Sequence, residues 1–214
     1  MTTRRTDLTM MHVRSLSRAG PAPPRSPLHN QGWFFEEEGR WYAALGAEIP
    51  HGGCAVEVGS WKGLSTSYLG PVCRDRGATL WCVDTWKGSH DSFAERYAAV
   101  MAAEDVRATF ERNMQELGVP VRILAEPSVE AAGRFEDGSC DLVFLDAAHD
   151  EESVAADLRA WVPKIKPGGV LAGHDLCPKT PGVGHALMQF VPETGLDLEL
   201  GPGRLWSLRL SAPA

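Results

Sequence analysis

Two acidic residues and a histidine at the ends of predicted strands could bind a metal ion and move a proton. One apolar run ends at Asp146, and a later one ends at His174-Asp175. If these runs form neighbouring parallel strands about 4.8 Å apart, their carboxylates repel each other unless something positive lies between them. A divalent cation with oxygen ligands, such as Mg²⁺, meets that need. His149 could then take a proton from a substrate beside the cation, because imidazole titrates near neutral pH.

A glycine-containing turn after an earlier strand could hold a ligand against the backbone. The strand Ala55–Val58 is followed by Gly59 and, four residues later, by Gly63. Glycine allows a tight turn and a close approach of the backbone, and the next helix N-terminus favours a negative group such as a carboxylate. Taken alone this is a weak signal, and a plain strand-to-helix turn is the alternative.

Asp84 ends the second predicted strand, 21 residues after Gly63. An acid at this position can accept both hydroxyls of a ribose, which also fits a nicotinamide cofactor. The turn at Gly59 and Gly63, however, lacks the third glycine of the G-x-G-x-x-G fingerprint. Capping of a local turn is the structural alternative for Asp84.

These residues require a parallel sheet that brings the strand ends to one edge. Short apolar runs alternate with helical patterns, which predicts an α/β domain with helices on both faces of the sheet. Right-handed crossovers place every strand-to-helix junction on the same edge, where ligands bind in such folds. The predicted strands are Ala55–Val58, Thr79–Asp84, Val121–Leu124, Asp141–Asp146, Gly169–Gly173, Leu196–Leu200 and Leu205–Leu210.

The predicted helices differ in how clearly the sequence defines them. Pro71 inside the helix Leu64–Arg74 predicts a kink or an early stop. The apolar residues from Phe93 to Leu117 predict one long or broken helix, and the last two strands should pair as an antiparallel hairpin. Shorter helices are predicted at Val129–Phe135, around Val154–Val162 and at His185–Val191.

Composition divides the chain into three parts. Residues 1–28 hold five Arg, one Asp and four Pro, so we expect a flexible basic leader. Residues 29–50 carry an amphipathic helix that could act as a lid and that ends near Ile49-Pro50, with its apolar positions at Trp33, Phe34, Trp41, Tyr42 and Leu45. Residues 51–214 form the main domain.

Charge and cysteine usage restrict the class of protein. The net charge is −7, and the chain after the leader is more acidic still, which argues against a nucleic-acid partner. The five Cys form no C-x-x-C pair, which favours free thiols in a reducing compartment. No apolar run reaches the roughly 20 residues that a transmembrane helix needs. We therefore expect a cytoplasmic protein with neither a membrane nor a nucleic-acid partner.

Four segments, in this order and spacing, resemble class I S-adenosylmethionine (SAM)-dependent methyltransferases. They are Glu57–Thr66, Val83–Gly88, Leu145–His149 and Lys166–Asp175. The most similar branch is that of the small O-methyltransferases, which includes macrolide-sugar and catechol-type enzymes. The resemblance covers roughly Cys54 to Leu210. It implies a Rossmann-like sheet of seven strands in the order 3-2-1-4-5-7-6, with the last strand antiparallel.

The resemblance also implies a role for each motif. SAM would contact Glu57, Gly59, Ser60, Trp61, Gly63, Ser65, Asp84, Thr85, Trp86, Ser128 and Asp146. Within that set, the loop Glu57–Gly63 holds the methionine part, Asp84 holds the ribose, and Trp86 packs near the adenine or anchors its loop. In metal-dependent members, Mg²⁺ is held by acids that match Asp146 and the pair His174-Asp175. The base of those enzymes matches His149.

Two positions depart from the family pattern. The metal-binding pair is often two acids or Asp-Asn, whereas here it is His174-Asp175. His174 is also the weaker ligand because adjacent residues of an extended chain point to opposite sides. Where an acid often contacts the adenine amine, this chain has Pro127, so Ser128 or nearby backbone must take that role.

The residues and the resemblance together predict a Mg²⁺-assisted O-methyltransferase. The expected acceptor is a hydroxyl of a small molecule such as a sugar, a polyketide or another secondary metabolite. A metal-independent or N-directed methyltransferase, a nicotinamide-dependent oxidoreductase and a non-catalytic SAM-binding domain are the alternatives. The helix of residues 29–50 and the loop Thr85–Ser92 are candidate lids. Aromatic residues that look exposed, namely Trp33, Phe34 and Trp41, could form a subunit contact in a homo-oligomer.

Overall fold

The seven strands form one sheet that confirms the predicted order. The computed structural model describes residues 25–91 and 93–211. The strands are β1 Cys54–Val58, β2 Thr79–Val83, β3 Arg122–Leu124, β4 Cys140–Leu145, β5 Ile165–Gly173, β6 Asp197–Leu200 and β7 Trp206–Arg209. Their spatial order is β3-β2-β1-β4-β5-β7-β6, with β7 antiparallel to both of its neighbours. The carboxyl ends of the first five strands therefore lie at one edge.

Among the described residues there are seven α-helices, and all but α3 contribute buried residues to the two faces of the sheet. Their bounds are α1 Glu36–Gly46, α2 Thr66–Asp75, α3 Ala94–Ala103, α4 Val106–Glu116, α5 Ser128–Ala132, α6 Glu151–Trp161 and α7 Pro181–Thr194. One apolar core joins α1, α2 and α4 to the sheet, and a second core joins α5, α6 and α7 to the opposite face. Each strand alternates between these cores, as a sheet buried on both faces requires. Within the described ranges, no helix is both long and apolar enough to cross a bilayer.

The N-terminal segment packs more closely on the domain than its composition suggests. Residues 1–24 of the predicted leader lie outside the described residues, but Ser26 and Leu28 are buried, and Leu28 belongs to the first core. The packed body therefore begins before the predicted boundary at residue 28. Phe34 and Trp41, which were expected to be exposed, also lie in that core, so they are unavailable for a subunit contact. Of the three aromatic residues, Trp33 alone is exposed, at 37%.

Helix α1 begins later than the aromatic spacing predicts because its start is set by a cap. The backbone N–H of Phe35 donates to Glu38 Oε2 over 2.7 Å, and three consecutive glutamates occupy the first turn. Acidic residues stabilise a helix N-terminus, so the helix starts at Glu36 and the residues before it, from Gly32 to Phe35, stay outside it.

Helix α2 does not stop early at Pro71. It continues to Asp75, although Pro71 lacks the N–H for one intrahelical bond. Leu69 and Cys73, on either side of the proline, are buried in the first core, and this burial holds the helix in place. The predicted long helix is divided into α3 and α4, because Asp105 caps the second one by accepting from the N–H of Ala108.

Contact between α1 and α2 depends on a glycine, which gives a test of the fold. A Cβ at Gly39 would lie 2.5 Å from ring atoms of Tyr68. We expect Gly39→Ala to lower the unfolding free energy by about 1–3 kcal/mol because the helices must separate. Gly184→Ala in α7 is the matched control, since its Cβ meets only Leu176 at 3.5 Å and should be neutral or stabilising. Urea unfolding of both variants measures this, and equal effects would contradict the packing described.

Candidate active site

A cleft of about 540 Å³ runs along the carboxyl edge of the sheet. The loops after all five parallel strands line it, as does the segment Gly32–Phe34 before α1. The strand order fixes the sequence of groups along the edge. Ser128 follows β3, Asp84 follows β2, Gly59 follows β1, Asp146 follows β4 and Asp175 follows β5.

The turn after β1 needs its glycines for close packing. Gly59 has a φ of +91°, and a Cβ there would lie 2.0 Å from the carbonyl oxygen of Asp146. The ends of β1 and β4 can therefore approach only because residue 59 has no side chain. Gly63 has a φ of +89°, and its Cβ would meet Met114. Ser60, Trp61 and Ser65, from the same predicted SAM-binding set, line the cleft.

Asp84 organises the turn while staying partly open to the cleft. Its Oδ2 accepts from the N–H of Trp61 over 2.8 Å, and its Oδ1 accepts from the N–H of Trp86 over 2.7 Å. Burial raises the pKa of this carboxyl, and the two N–H donors act in the opposite direction. Each carboxylate oxygen keeps a further lone pair for a ligand hydroxyl.

Trp86 does not line the cleft, although its neighbour Thr85 does. Its indole N–H donates to the carbonyl of Trp61 over 2.9 Å, and its ring packs in the first core near Phe110. The geometry thus matches the loop-anchor alternative rather than a contact with adenine.

Glu57 lies beneath the turn and not on the cleft surface. It is fully buried and accepts a hydrogen bond from the hydroxyl of Thr66. Burial raises its pKa to about 7, outweighing the hydrogen bond from Thr66, which lowers it. Any influence of Glu57 on a ligand must pass through the turn that it supports.

The buried carboxyl gives a pH-dependent stability prediction. Because its pKa is about 7 in the folded protein and 4.5 as the ordinary value, ionised Glu57 opposes folding. That cost appears as the pH rises from 4.5 and is complete above 7. Glu57→Gln keeps an acceptor for Thr66, so we expect it to raise the melting temperature by several degrees at pH 8 and much less at pH 5. Thermal unfolding at both pH values measures this, and an equal change at each would refute it.

Asp146, His149 and Asp175 converge beyond the turn, as the sequence predicts. One side-chain ligand atom from each lies within 4.8 Å of the others. His149 Nε2 is 2.8 Å from Asp175 Oδ2, and Nδ1 is 2.6 Å from Asp91 Oδ2. Burial disfavours the imidazolium, but the hydrogen bonds and charges of Asp175 and Asp91 outweigh it and raise the pKa of His149 to about 9.

His174 points into the same cluster instead of away from it. Asp175 has a φ of +58°, which breaks the extended geometry that would have separated the two side chains. His174 Nδ1 lies 3.3 Å from Asp146 Oδ1 and 3.5 Å from Asp175 Oδ2, and Nε2 lies 3.2 Å from Glu38 Oε2. Burial opposes its charge, yet these carboxylates raise the pKa of His174 to about 11. His174 therefore lies among three carboxylates that favour its protonated form.

Three charged residues of the cluster were not predicted from the sequence. Asp91 belongs to the predicted lid loop, Glu38 to the first turn of α1, and Arg204 to the β6–β7 hairpin turn. Arg204 Nη1 lies 2.7 Å from Asp175 Oδ1, and its backbone N–H donates to Glu38 Oε1 over 3.0 Å. These partners are 29 and 166 residues apart in sequence, so no local spacing signals them.

The cluster has the donors for a divalent cation. Two carboxylates and one imidazole within 4.8 Å are a possible ligand set for a metal ion. Mg²⁺ prefers oxygen ligands alone. Because this set includes an imidazole, it is at least as suitable for Mn²⁺ or Zn²⁺ as for Mg²⁺. His174 is not part of this group, and its contacts are those of a cation. A bound metal ion would compete with the proton on His149.

Aromatic rings form a wall of the cleft near this cluster. Trp61 and Tyr97 are 5.0 Å apart between ring centroids, and Trp33 lies 5.7 Å from Tyr97. Phe34, next along the chain, packs 5.0 Å from the His174 ring. The cleft therefore combines flat apolar surface with a charged end.

The match to known proteins decides the family. The family described as "Methyltransferase domain" matches residues 56–176, more than half of the chain. The chain belongs to this family. It contains a SAM-dependent methyltransferase domain, which argues against the nicotinamide-dependent alternative.

Three proteins similar to this chain in sequence or structure share less than 30% of its residues. The chain is 29% identical over 185 residues to the uncharacterized protein y4gI of Sinorhizobium fredii, a match of 82% of this chain but only 18% of that protein. Among solved structures, a Corynebacterium glutamicum protein has a TM-score of 0.65 at 19% identity, covering 86% of this chain and 85% of its own. The O-methyltransferase NovP has a TM-score of 0.66 at 17% identity, covering 82% and 80%. At these identities the structural matches establish the fold alone.

Proposed function

We propose that this methyltransferase transfers the SAM methyl group to a hydroxyl of a small molecule. The observation that carries the proposal is the acid–imidazole cluster of Asp146, His149 and Asp175 beside the aromatic wall, inside one cleft. An alcohol is a poor nucleophile at neutral pH and needs a base or a cation that lowers its pKa. The similarity to NovP, an O-methyltransferase, supports an oxygen acceptor.

The donor would lie along the edge of the sheet with its sulfonium toward the cluster. Asp84 accepts the ribose hydroxyls, and the turn Gly59–Ser65 receives the methionine part. The acceptor stacks on the aromatic wall with its hydroxyl toward His149. In-line displacement forms the O–C bond, breaks the C–S bond and leaves S-adenosylhomocysteine, while the hydroxyl proton passes to His149.

The ribose assignment gives a binding test. We expect wild-type protein to bind S-adenosylhomocysteine at one site, and Asp84→Ala to weaken binding by about 100-fold, since two charge-assisted hydrogen bonds are lost. Isothermal titration calorimetry measures both. Glu126→Gln, which alters another carboxylate lining the cleft, is the control. Normal binding by Asp84→Ala would disprove the ribose contact.

The base assignment predicts a rate that rises with pH. His149 must be neutral to accept a proton, and its neighbours hold its pKa at about 9, so kcat should increase as the pH rises toward 9. His149→Ala should lower kcat by about 10²–10⁴ without weakening SAM binding. His185→Ala, an exposed histidine on α7, should change neither. Methyl transfer from labelled SAM to a panel of hydroxylated and amine acceptors measures this, and a preference for amines would favour N-methylation.

Metal assistance is tested by chelation. We propose that Asp146 and Asp175 hold a divalent cation beside His149, which stays free to accept the proton. When bound, the cation would lower the pKa of the acceptor hydroxyl. EDTA should then reduce turnover by at least about tenfold, and added Mg²⁺ or Mn²⁺ should restore it. Full activity in excess chelator would favour a metal-independent methyltransferase. In that case His149, His174 and Arg204 alone would balance the charge of the carboxylates.

A further inference from the structure

The carboxylate of Asp91 reaches His149 from outside the cleft. Its Oδ2 lies 2.6 Å from His149 Nδ1, and the side chains of Asp91 and His149 are only 4% and 8% exposed. His149 lines the cleft whereas Asp91 does not, so Nδ1 faces the protein. The ring of Phe93, which leads into α3, packs edge-on against the imidazole at 5.5 Å between centroids. The segment between β2 and α3 therefore holds the ring on this side.

The other oxygen of Asp91 is fixed by the loop that carries it. Oδ1 accepts from the hydroxyl of Ser89 over 2.7 Å and from the backbone N–H of Phe93 over 2.9 Å. Both donors are neutral. Among residues 25–91 and 93–211, His149 is the one basic side chain that forms an ion pair with Asp91. The buried carboxylate therefore depends on the Nδ1 proton of His149 for compensation of its charge.

The carboxylate at the other ring nitrogen is less dependent on His149. Asp175 Oδ2 lies 2.8 Å from His149 Nε2, but Asp175 also contacts Arg204 Nη1 at 2.7 Å and His174 Nδ1 at 3.5 Å. When the ring carries a single proton, Asp175 can give up its share and keep two cationic partners. Asp91 would be left buried with neutral donors alone, which is costly. The single proton therefore belongs on Nδ1.

We propose that Asp91 is a positioning residue that keeps a proton on Nδ1 of His149 and so makes Nε2 the atom that accepts the acceptor's proton. The inference rests on the proposed function, because it takes His149 as the base. The hydroxyl proton passes to Nε2 as the O–C bond forms and the C–S bond breaks, while Nδ1 keeps its own proton. A ring with its proton on Nε2 would direct its lone pair at Asp91 and could not act as the base.

Nitrogen NMR shows directly which ring nitrogen carries the proton. The chemical shifts of the ring nitrogens separate a protonated nitrogen from one with a free lone pair. Comparison with His149→Gln identifies the signals of residue 149 among those of the seven histidines. The spectrum is recorded on metal-free protein at a pH above the His149 pKa of about 9, where the ring is neutral. Wild-type protein should show the proton on Nδ1 and a free lone pair on Nε2.

Asp91→Asn separates this role from a purely structural one. The amide oxygen can still accept from Ser89 and Phe93 in place of Oδ1, so the loop keeps its contacts. The amide nitrogen then faces Nδ1 of His149 and donates to it, which requires a free lone pair on that atom. The ring signals should therefore exchange, with the proton now on Nε2.

Methyl transfer by the same variant tests the consequence for the reaction. With the best acceptor of the panel used above, Asp91→Asn should lower kcat at least about tenfold and leave the KM for SAM unchanged, since the wrong nitrogen carries the proton. Rates are compared above the His149 pKa of about 9, so that a change in this pKa does not contribute. Glu95→Gln, an exposed carboxylate in the first turn of α3, is the matched control and should change neither the rate nor the ring signals.

The outcomes separate this inference from the proposed function. A wild-type ring with its proton on Nε2 would overturn the role of Asp91, and this spectrum decides the matter even if Asp91→Asn does not fold. Unchanged ring signals or an unchanged kcat in Asp91→Asn would overturn it as well. If wild-type protein methylates no acceptor of the panel, the proposed function fails, while the ring signals still decide whether Asp91 holds the proton on Nδ1.

Discussion

The electrostatic balance of the carboxylates at the sheet edge is the constraint on which the rest of the structure depends. Parallel strands deliver Asp146 and Asp175 to neighbouring positions, and such a pair is unfavourable without compensation. The protein supplies His149, His174 and Arg204 as cations around them. Two further carboxylates, Asp91 and Glu38, complete a network with alternating charge. Such a network is stable only when each member keeps its partner.

This constraint explains why distant parts of the chain meet at the cleft. Helix α1 brings Glu38, the loop between β2 and α3 brings Asp91, and the β6–β7 hairpin brings Arg204. Arg204 also donates to the carbonyl of Trp33, so the aromatic wall and the charged end are joined by one side chain. The N-terminal segment is therefore part of the site's architecture as well as a cover for the first core.

Sequence patterns predicted the fold well because the signals that define it are local. Apolar runs such as Cys140–Leu145 mark buried strands, and alternation with helices implies the parallel order. The residues at the strand ends, among them Asp84 and Asp146, follow from the same pattern. The orientation of the His174 side chain could not be predicted from this pattern, because it depends on the positive φ of Asp175. Glu38 and Arg204 could not be found either, since only tertiary packing brings them together.

Cofactor contacts were partly predictable for a related reason. Gly59 and Gly63 have backbone conformations that a motif can reveal, whereas the direction of the Trp86 ring depends on core packing.

A crystal structure of the protein with S-adenosylhomocysteine tests the central claim most directly. We predict that the ribose hydroxyls lie on Asp84, that the sulfur faces the cluster of Asp146, His149 and Asp175, and that the base lies on the β3 side of the cleft. A ligand bound in the reverse direction, or with its sulfur shielded from that cluster, would contradict it.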